Sequence, residues 1–290
     1  MVSALLRSMR PTQWSKNVFV FAPLVFAHLL TNREALAQAG LAFAAFCAAA
    51  SAIYLVNDVR DREEDRRHPL KRRRPIAAGE LGVPAALVAA LALGVGALAI
   101  ALQLGSLFAG LLGGYVALNL LYSVSLKHVV ILDVMCIAAG FVLRVMAGAA
   151  AVGAAVSNWL ILCTTFLALF LAFSKRRHEL LLLSEGAAEQ RRVLEDYSPA
   201  FLDQMINVVT ASAVVSYALY AVAPETVQKF HSEHLVYTLP LVLFGIFRYL
   251  YLTYQRKELR NPTEAILRDA PFLINLALWA LAVMAIVYGF

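Results

Sequence analysis

Nine stretches of this chain, near 17–31, 38–57, 83–103, 106–126, 129–151, 157–174, 201–222, 235–253 and 271–289, are apolar almost throughout. About 20 such residues in a helix cross roughly 30 Å of hydrocarbon. Lipid offers backbone amides no partners, so only helices and closed barrels span it, and these runs are continuous rather than alternating. Hydrophobic residues make up 61% of the chain and charged ones only 15%, with a mean hydropathy of +0.71, which a soluble domain would not show. The expected fold class is therefore all-α: a polytopic membrane protein of nine transmembrane helices, with residues 1–290 as a single integral membrane domain. Stretch 17–31 is the shortest. It follows an amphipathic Arg7–Lys16 segment and has no small-residue cleavage pattern after it, so it reads as a retained span rather than a leader.

Basic residues in short loops stay on the cytoplasmic side. Of the 25 Lys and Arg, 22 fall on one side of the expected bundle: Arg7, Arg10 and Lys16, then residues 60–74, Lys127, 175–192 and 248–268. Arg33 and Lys229 fall on the other side, and Arg144 lies within a span. The N-terminus is expected in the cytoplasm of a cell inner or plasma membrane, and nine spans then place the C-terminus on the far face. The long polar connections, 58–82, 175–200 and 254–270, all share the cytoplasmic side, so chemistry is expected at that mouth. The net charge of +6 is spread over separate membrane-edge loops, which suits anionic lipid or phosphorylated substrates and argues against nucleic acid. Cys47, Cys136 and Cys163 all lie in spans without CxxC or Cys/His spacing, so neither a disulfide framework nor zinc is indicated. His28, His128, His231 and His234 read as loop or interface residues, and no HExxH is present.

The chemistry concentrates where the second run ends. Residues 57–65 read Asn-Asp-Val-Arg-Asp-Arg-Glu-Glu-Asp. On a continuing helix at about 100° per residue, Asn57, Asp58, Asp61 and Asp65 fall within about a quarter turn. Such oxygen donors suit Mg²⁺, which takes one or two carboxylates and completes its shell with water and phosphate oxygens. The plainer alternative is a solvated helix end neutralised by Arg60, Arg62, Arg66 and Arg67. Next comes His68-Pro69-Leu70-Lys71-Arg72-Arg73-Arg74-Pro75-Ile76-Ala77-Ala78-Gly79-Glu80, a proline-bounded basic loop whose guanidinium forks match phosphate. Asp133 and Arg144 are ionisable groups inside one span, where each costs about 2.5–3.5 kcal/mol. Eleven residues apart, they share a helix face but stand about 16 Å apart along it, too far to pair. Asp133 is expected near metal or sugar hydroxyls, and Arg144 is expected either to serve function or to pair with another helix.

These residues resemble the UbiA superfamily of intramembrane prenyltransferases. The likeness runs through NDxxDxxxD, HPxKRxRPIAAGE, Tyr122-Ser123, and Leu126-Lys127 ahead of Asp133. Three segments, Arg10 to Asn17, Asp133 to Gly148 and Lys175 to Leu180, are closer to its branch of decaprenyl-phosphate phosphoribosyltransferases. The resemblance implies a nine-helix bundle around a central cavity open to the cytoplasm and laterally to lipid. It also implies Mg²⁺ as cofactor, and 5-phosphoribosyl 1-pyrophosphate and a polyprenyl phosphate lipid as partners in building a cell-envelope arabinan precursor. Expected metal ligands are Asp58, Asp61, Asp65 and Asn57, with Asp58, Asp61 and Asn57 catalytic. Expected substrate contacts are Lys16, Asn17, Tyr54, Lys71, Arg72, Arg74, Tyr122, Lys127, Asp133, Arg144, Lys175 and Arg176.

One departure separates the branches. Prenyl-diphosphate users carry a second Asp-rich motif after span six, whereas this loop begins Lys-Arg-Arg-His-Glu, and its Glu185, Glu189, Glu195 and Asp196 form no DxxxD. The resemblance therefore carries no second metal cluster onto this chain, and the added positive charge suits further phosphate groups. Two other readings stay open: a prenyltransferase acting on an aromatic or other acceptor, and a lipid carrier, although the paired, Gly/Pro-broken halves a carrier would show are not seen. A homo-oligomer is compatible with the sequence, which fixes neither oligomeric state nor lipid length.

The orientation is checked by cysteine labelling in a variant lacking the three native thiols. A cysteine in the 58–82 loop should react with an impermeant reagent only after the cytoplasmic face is opened, and one near Lys229 should react from outside; the reverse pattern overturns it.

Overall fold

The computed structural model describes residues 2–69, 71–184, 192–255 and 268–289, and among these the regular structure is helical with no strand. Among the described residues eight helices are long and apolar enough to cross a membrane. The chain divides into two compact units, Met1–Leu126 with Gly140–Val156, and Lys127–Ala139 with Ser157–Phe290.

The first unit is organised by a 28-residue helix. Its elements are α1 (Val2–Met9), a 3-10 run Pro11–Phe21, α2 (Ala22–Phe26), α3 (Arg33–Arg60), α4 (Arg62–Arg67), α5 (Val83–Leu104), α6 (Ser106–Val124) and the later part of α7 (Leu132–Ala151). Asn32 caps α3, its Oδ1 accepting from the backbone N–H of Glu34 and Ala35. Buried Ala35, Ala39, Ala42, Ala45, Ala49 and Ala50 keep α3 thin, and α5 packs on it through Ala86, Ala90, Ala97 and Ala101. Small residues permit this close approach, which stands in for the hydrophobic drive that lipid does not supply. Leu87, Leu91, Val95, Leu98 and Leu102 of α5 stay exposed, as a lipid-facing side requires.

The expected first span, 17–31, is not one long helix. It is the end of the 3-10 run followed by the five residues of α2, where Pro23 removes one N–H at the helix start. Its contacts nevertheless follow α3 in antiparallel order: Arg10 meets Asp58, Trp14 meets Ser51, Asn17 meets Cys47, Phe21 meets Phe43, and Leu24 clusters with Ala35 and Ala39. A 3-10 run rises about 2.0 Å per residue, so fewer residues cover the length of α3 than an α-helix would need. This segment lies close against α7, where a Cβ on Gly148 would stand 2.0 Å from the Val20 carbonyl oxygen.

The second unit contains the start of α7, α8 (Asn158–Ser184), α9 (Arg192–Glu195), α10 (Pro199–Val222), α11 (Pro224–Phe230), α12 (Leu239–Tyr254) and α13 (Ala270–Tyr288). Asp269 caps α13 through the Phe272 amide and takes a two-pronged bond from Arg248 at 3.0 and 2.9 Å, tying α12 to α13. Phe170 of α8 meets Tyr249 of α12, ring centroids 4.7 Å apart.

Gly148→Ala should lower the thermal unfolding midpoint of detergent-solubilised protein, at a cost of about 1–3 kcal/mol, because a backbone carbonyl cannot swing aside. A Cβ added at Gly110 of α6 would meet no atom within 4 Å, so Gly110→Ala should hold or raise the midpoint.

Candidate active site

The acidic stripe survives a break in its helix. α3 ends at Arg60 and α4 starts at Arg62, yet the Asp61 amide bonds Asn57 at 2.9 Å and the Asp65 amide bonds Asp61 at 2.8 Å, so the four-residue ladder continues across the joint. The side chains then part company. Asp58 and Asp65 are buried, 3% and 2% exposed, and a single Arg74 nitrogen bridges them, 3.2 Å from Asp58 Oδ1 and 2.7 Å from Asp65 Oδ2. Arg10 donates to the same Asp58 Oδ1 at 2.5 Å and lays its guanidinium over Tyr54, 4.8 Å from the ring centroid. Asp61 is partly exposed and pairs with neighbouring Arg60 at 3.0 Å. Asn57 donates its amide nitrogen to Ser123 Oγ at 3.0 Å. Arg60 reaches the Ser123 carbonyl.

The basic loop is fixed by its apolar residues. Ile76 and Leu81 sink into a cluster with Ala4, Leu55, Ala86 and Ala90, while Leu81 N–H returns to the Pro75 carbonyl and Gly79 supplies the φ of +81° that the turn requires. Arg74, just ahead of Pro75, is thereby aimed at Asp58 and Asp65. Lys71 and Arg72 stand on the 3-10 turn Lys71–Arg73, Arg72 being exposed. Lys16 is exposed as well, and Tyr122 half-buried. Arg10 has φ 53° and ψ 63°, a left-handed backbone that costs an L-residue about 1–2 kcal/mol, and it precedes a proline. Sequence reasoning left Arg10 out of the site. Its place directly before Pro11, in a segment otherwise read as family-like, was the only signal.

Do these groups fit a metal? Among the described residues no three Asp, Glu, His or Cys side chains gather at one point, but two carboxylates converge on one positive nitrogen. Two hard oxygen donors suit Mg²⁺, whose other positions go to water and phosphate, while Asp61 and Asn57 are turned to Arg60 and Ser123.

Four expected substrate contacts are instead buried and bonded within the protein. Arg144, 7% exposed, donates to Asn17 Oδ1, the Gly140 carbonyl and the Tyr115 hydroxyl at 2.8–2.9 Å, with its charge over the Tyr115 and Phe141 rings. Asn17 is 1% exposed and also donates to Cys47 Sγ. In the second unit Asp133, fully buried, accepts from Arg176 Nε at 2.5 Å and from the Tyr197 hydroxyl at 2.7 Å. Arg176 is 1% exposed and also holds Glu179. The reason is the same for all four: a polar group at that depth must bring its own partner. The Tyr197 oxygen also accepts from the amide of Ile131, which has φ 69°, a strained value for a β-branched residue. Burial pushes the Tyr197 phenol up from its ordinary range, so it stays protonated and donates to Asp133. Lys127 and Lys175 remain partly exposed. Glu185 and Glu189 lie outside the described residues.

Residues 18–276 match the UbiA prenyltransferase family. The decaprenyl-phosphate phosphoribosyltransferase of Corynebacterium glutamicum is 42% identical over 225 residues, 76% of this chain and 68% of that one. The enzyme of the same name from Mycobacterium tuberculosis is 37% identical over 76% of this chain and 74% of its own. A solved UbiA homologue from Archaeoglobus fulgidus bound to GPP and Mg²⁺ superposes with a TM-score of 0.73 at 21% identity, covering 98% of this chain and 99% of that one, a likeness of fold.

Arg176→Gln should unfold the protein at markedly lower temperature, since stripping one partner from a buried ion pair costs about 3–5 kcal/mol. Lys175, 40% exposed and 3.7 Å from Glu179, should tolerate Lys175→Ala within about 1 kcal/mol. Equal midpoints for the two variants would contradict the structural assignment of Arg176.

Proposed function

The chain belongs to the UbiA prenyltransferase family, and from that premise we propose that it transfers 5-phosphoribose from 5-phosphoribosyl 1-pyrophosphate to a polyprenyl phosphate, releasing pyrophosphate. The observation that carries this reading is the pairing of a buried Asp58–Asp65 couple with Arg10 and Arg74 at the end of an apolar helix, beside a fixed basic loop. The names of the corynebacterial and mycobacterial relatives support the choice of substrates. Residues 1–290 act as one multi-pass membrane domain, with the N-terminus and the acidic cluster on the cytoplasmic side of the plasma membrane, where the donor is soluble. The product is a precursor for cell-envelope arabinan.

Asp58 and Asp65, with Asp61 and the Asn57 oxygen, would hold Mg²⁺, which when bound supplies Lewis acidity toward the departing pyrophosphate. Arg74 and Arg10 stabilise the negative charge that gathers on that leaving group, and Lys71 and Arg72 add donors along the same loop. A lipid-phosphate oxygen forms its bond to the anomeric carbon as the bond from that carbon to pyrophosphate breaks. The attacking phosphate is already ionised, so no general base is required. Tyr54 positions Arg10 through its ring face. Lys16, Tyr122, Lys127 and Lys175 are proposed substrate contacts.

A second reading, transfer of a prenyl group from its diphosphate, is favoured by the same acidic helix end and by the GPP-bound neighbour in fold. Purified protein given radiolabelled 5-phosphoribosyl 1-pyrophosphate and polyprenyl phosphate should yield labelled lipid, and Asp58→Asn or Asp61→Asn should abolish it without unfolding the protein. A donor lacking the 5-phosphate should bind about tenfold to a hundredfold less well, from the loss of about 1.5–3 kcal/mol in charge-assisted bonding. If the truncated donor works equally well, or only prenyl diphosphates react, the prenyltransferase reading replaces this one.

A further inference from the structure

Asp58 and Asp65 are out of reach of a free ion as they stand. Their carboxylates are 3% exposed, while the arginines that cover them, Arg10 and Arg74, each keep 29% of the side chain in contact with solvent. Arg74 puts one nitrogen between the two carboxylates, the point where their charges would draw a cation. Two acids against two arginines are balanced, and a dication added alone would leave a double positive charge in a half-buried site, which is costly to desolvate. A diphosphate arriving with the dication removes that excess and offers the guanidinium groups bidentate oxygens in exchange for the carboxylates they give up.

Arg10 supplies an independent sign that this arrangement is poised to change. Its left-handed backbone directly ahead of Pro11 is a strained state, held by the bond to Asp58 and the Tyr54 ring. Loss of the Asp58 bond would let Arg10 relax toward extended backbone.

We propose that Arg10 and Arg74 mask the acidic pair in the substrate-free protein, so that a divalent cation and a diphosphate bind together and each is weak alone. This rests on the reading of the cluster as a metal and diphosphate site. The arginines are then exchangeable counter-ions that hold Asp58 and Asp65 before substrate arrives and the leaving group afterwards. By linkage, the factor by which diphosphate tightens the cation equals the factor by which the cation tightens diphosphate.

The test uses the full chain in lipid nanodiscs with Mn²⁺ as probe, protein-bound Mn²⁺ being read by water-proton relaxation and corrected for the soluble Mn²⁺–pyrophosphate complex. For the parent protein, saturating pyrophosphate should tighten Mn²⁺ about tenfold or more. Arg74→Gln should bind Mn²⁺ alone about tenfold more tightly than the parent, and pyrophosphate should then help it less than about threefold. Arg74→Lys, which keeps a cation in place, should restore part of the coupling. Should Arg74→Gln fail to fold, Arg10→Gln carries the same expectation, since it frees the same Asp58 oxygen. Parent protein that binds Mn²⁺ alone as tightly as Arg74→Gln sinks the masking idea and leaves the metal reading standing. Absence of Mn²⁺ binding in every variant, with or without pyrophosphate, or binding that survives Asp58→Asn in the Arg74→Gln background, sinks the metal reading itself.

Discussion

A carboxylate that ends an apolar helix with 3% of its surface exposed persists only if a cation is brought to it, and much of the first unit is arranged to bring two to Asp58. Arg10 comes from the N-terminal segment, 48 positions away, and Arg74 from the loop after α4. Each is delivered by apolar packing rather than by charge alone. Ile76 and Leu81 lock the loop against Leu55, while Trp14, Phe21 and Leu24 lay the N-terminal run along α3. The polar site is therefore a product of the core beneath it, and Leu55, by packing with Ile76 and Leu81, helps aim Arg74.

That dependence explains what the sequence disclosed and what it withheld. Long apolar runs are a local property, and eight of the nine expected spans appear as long helices. Stretch 17–31 misled because hydropathy does not distinguish a 3-10 run from an α-helix; Pro11, Pro23 and the partners waiting on α3 decide that. The acidic stripe was legible because 3.6-residue periodicity is local, and it held even across the break at Asp61. Which stripe members converge was not legible. Asp58 and Asp65 share Arg74, 16 and 9 positions away, and Asn57 turns to Ser123, 66 positions away, while Asp61 is drawn off by adjacent Arg60.

The expected phosphate role for Arg176 failed for a related reason. A run of Lys-Arg-Arg at the end of a span looks the same whether it faces phosphate or a buried acid. Periodicity put Asp133 on an apolar helix, and a buried acid demands a base; that demand could have pointed to an arginine at the end of another span. Arg144 obeys the same rule with neutral partners, through Asn17, Tyr115 and the Gly140 carbonyl.

The Arg176–Asp133 pair and the arginine pairs on Asp58 differ in exposure. Arg176 and Asp133 are sealed at 1% and 0%, and Tyr197 completes the acid's second oxygen, so exchange would strand charges in an apolar surrounding. Such a pair holds structure and has no route to a ligand. Arg10 and Arg74 reach buried acids from the solvent side, with 29% of each side chain still hydrated. An arginine so placed loses little hydration on leaving one anion for another, and the acid it leaves needs only that a second cation arrive with the second anion. The same chemistry that makes Asp133 inert makes Asp58 exchangeable, and the difference lies in which partner faces water.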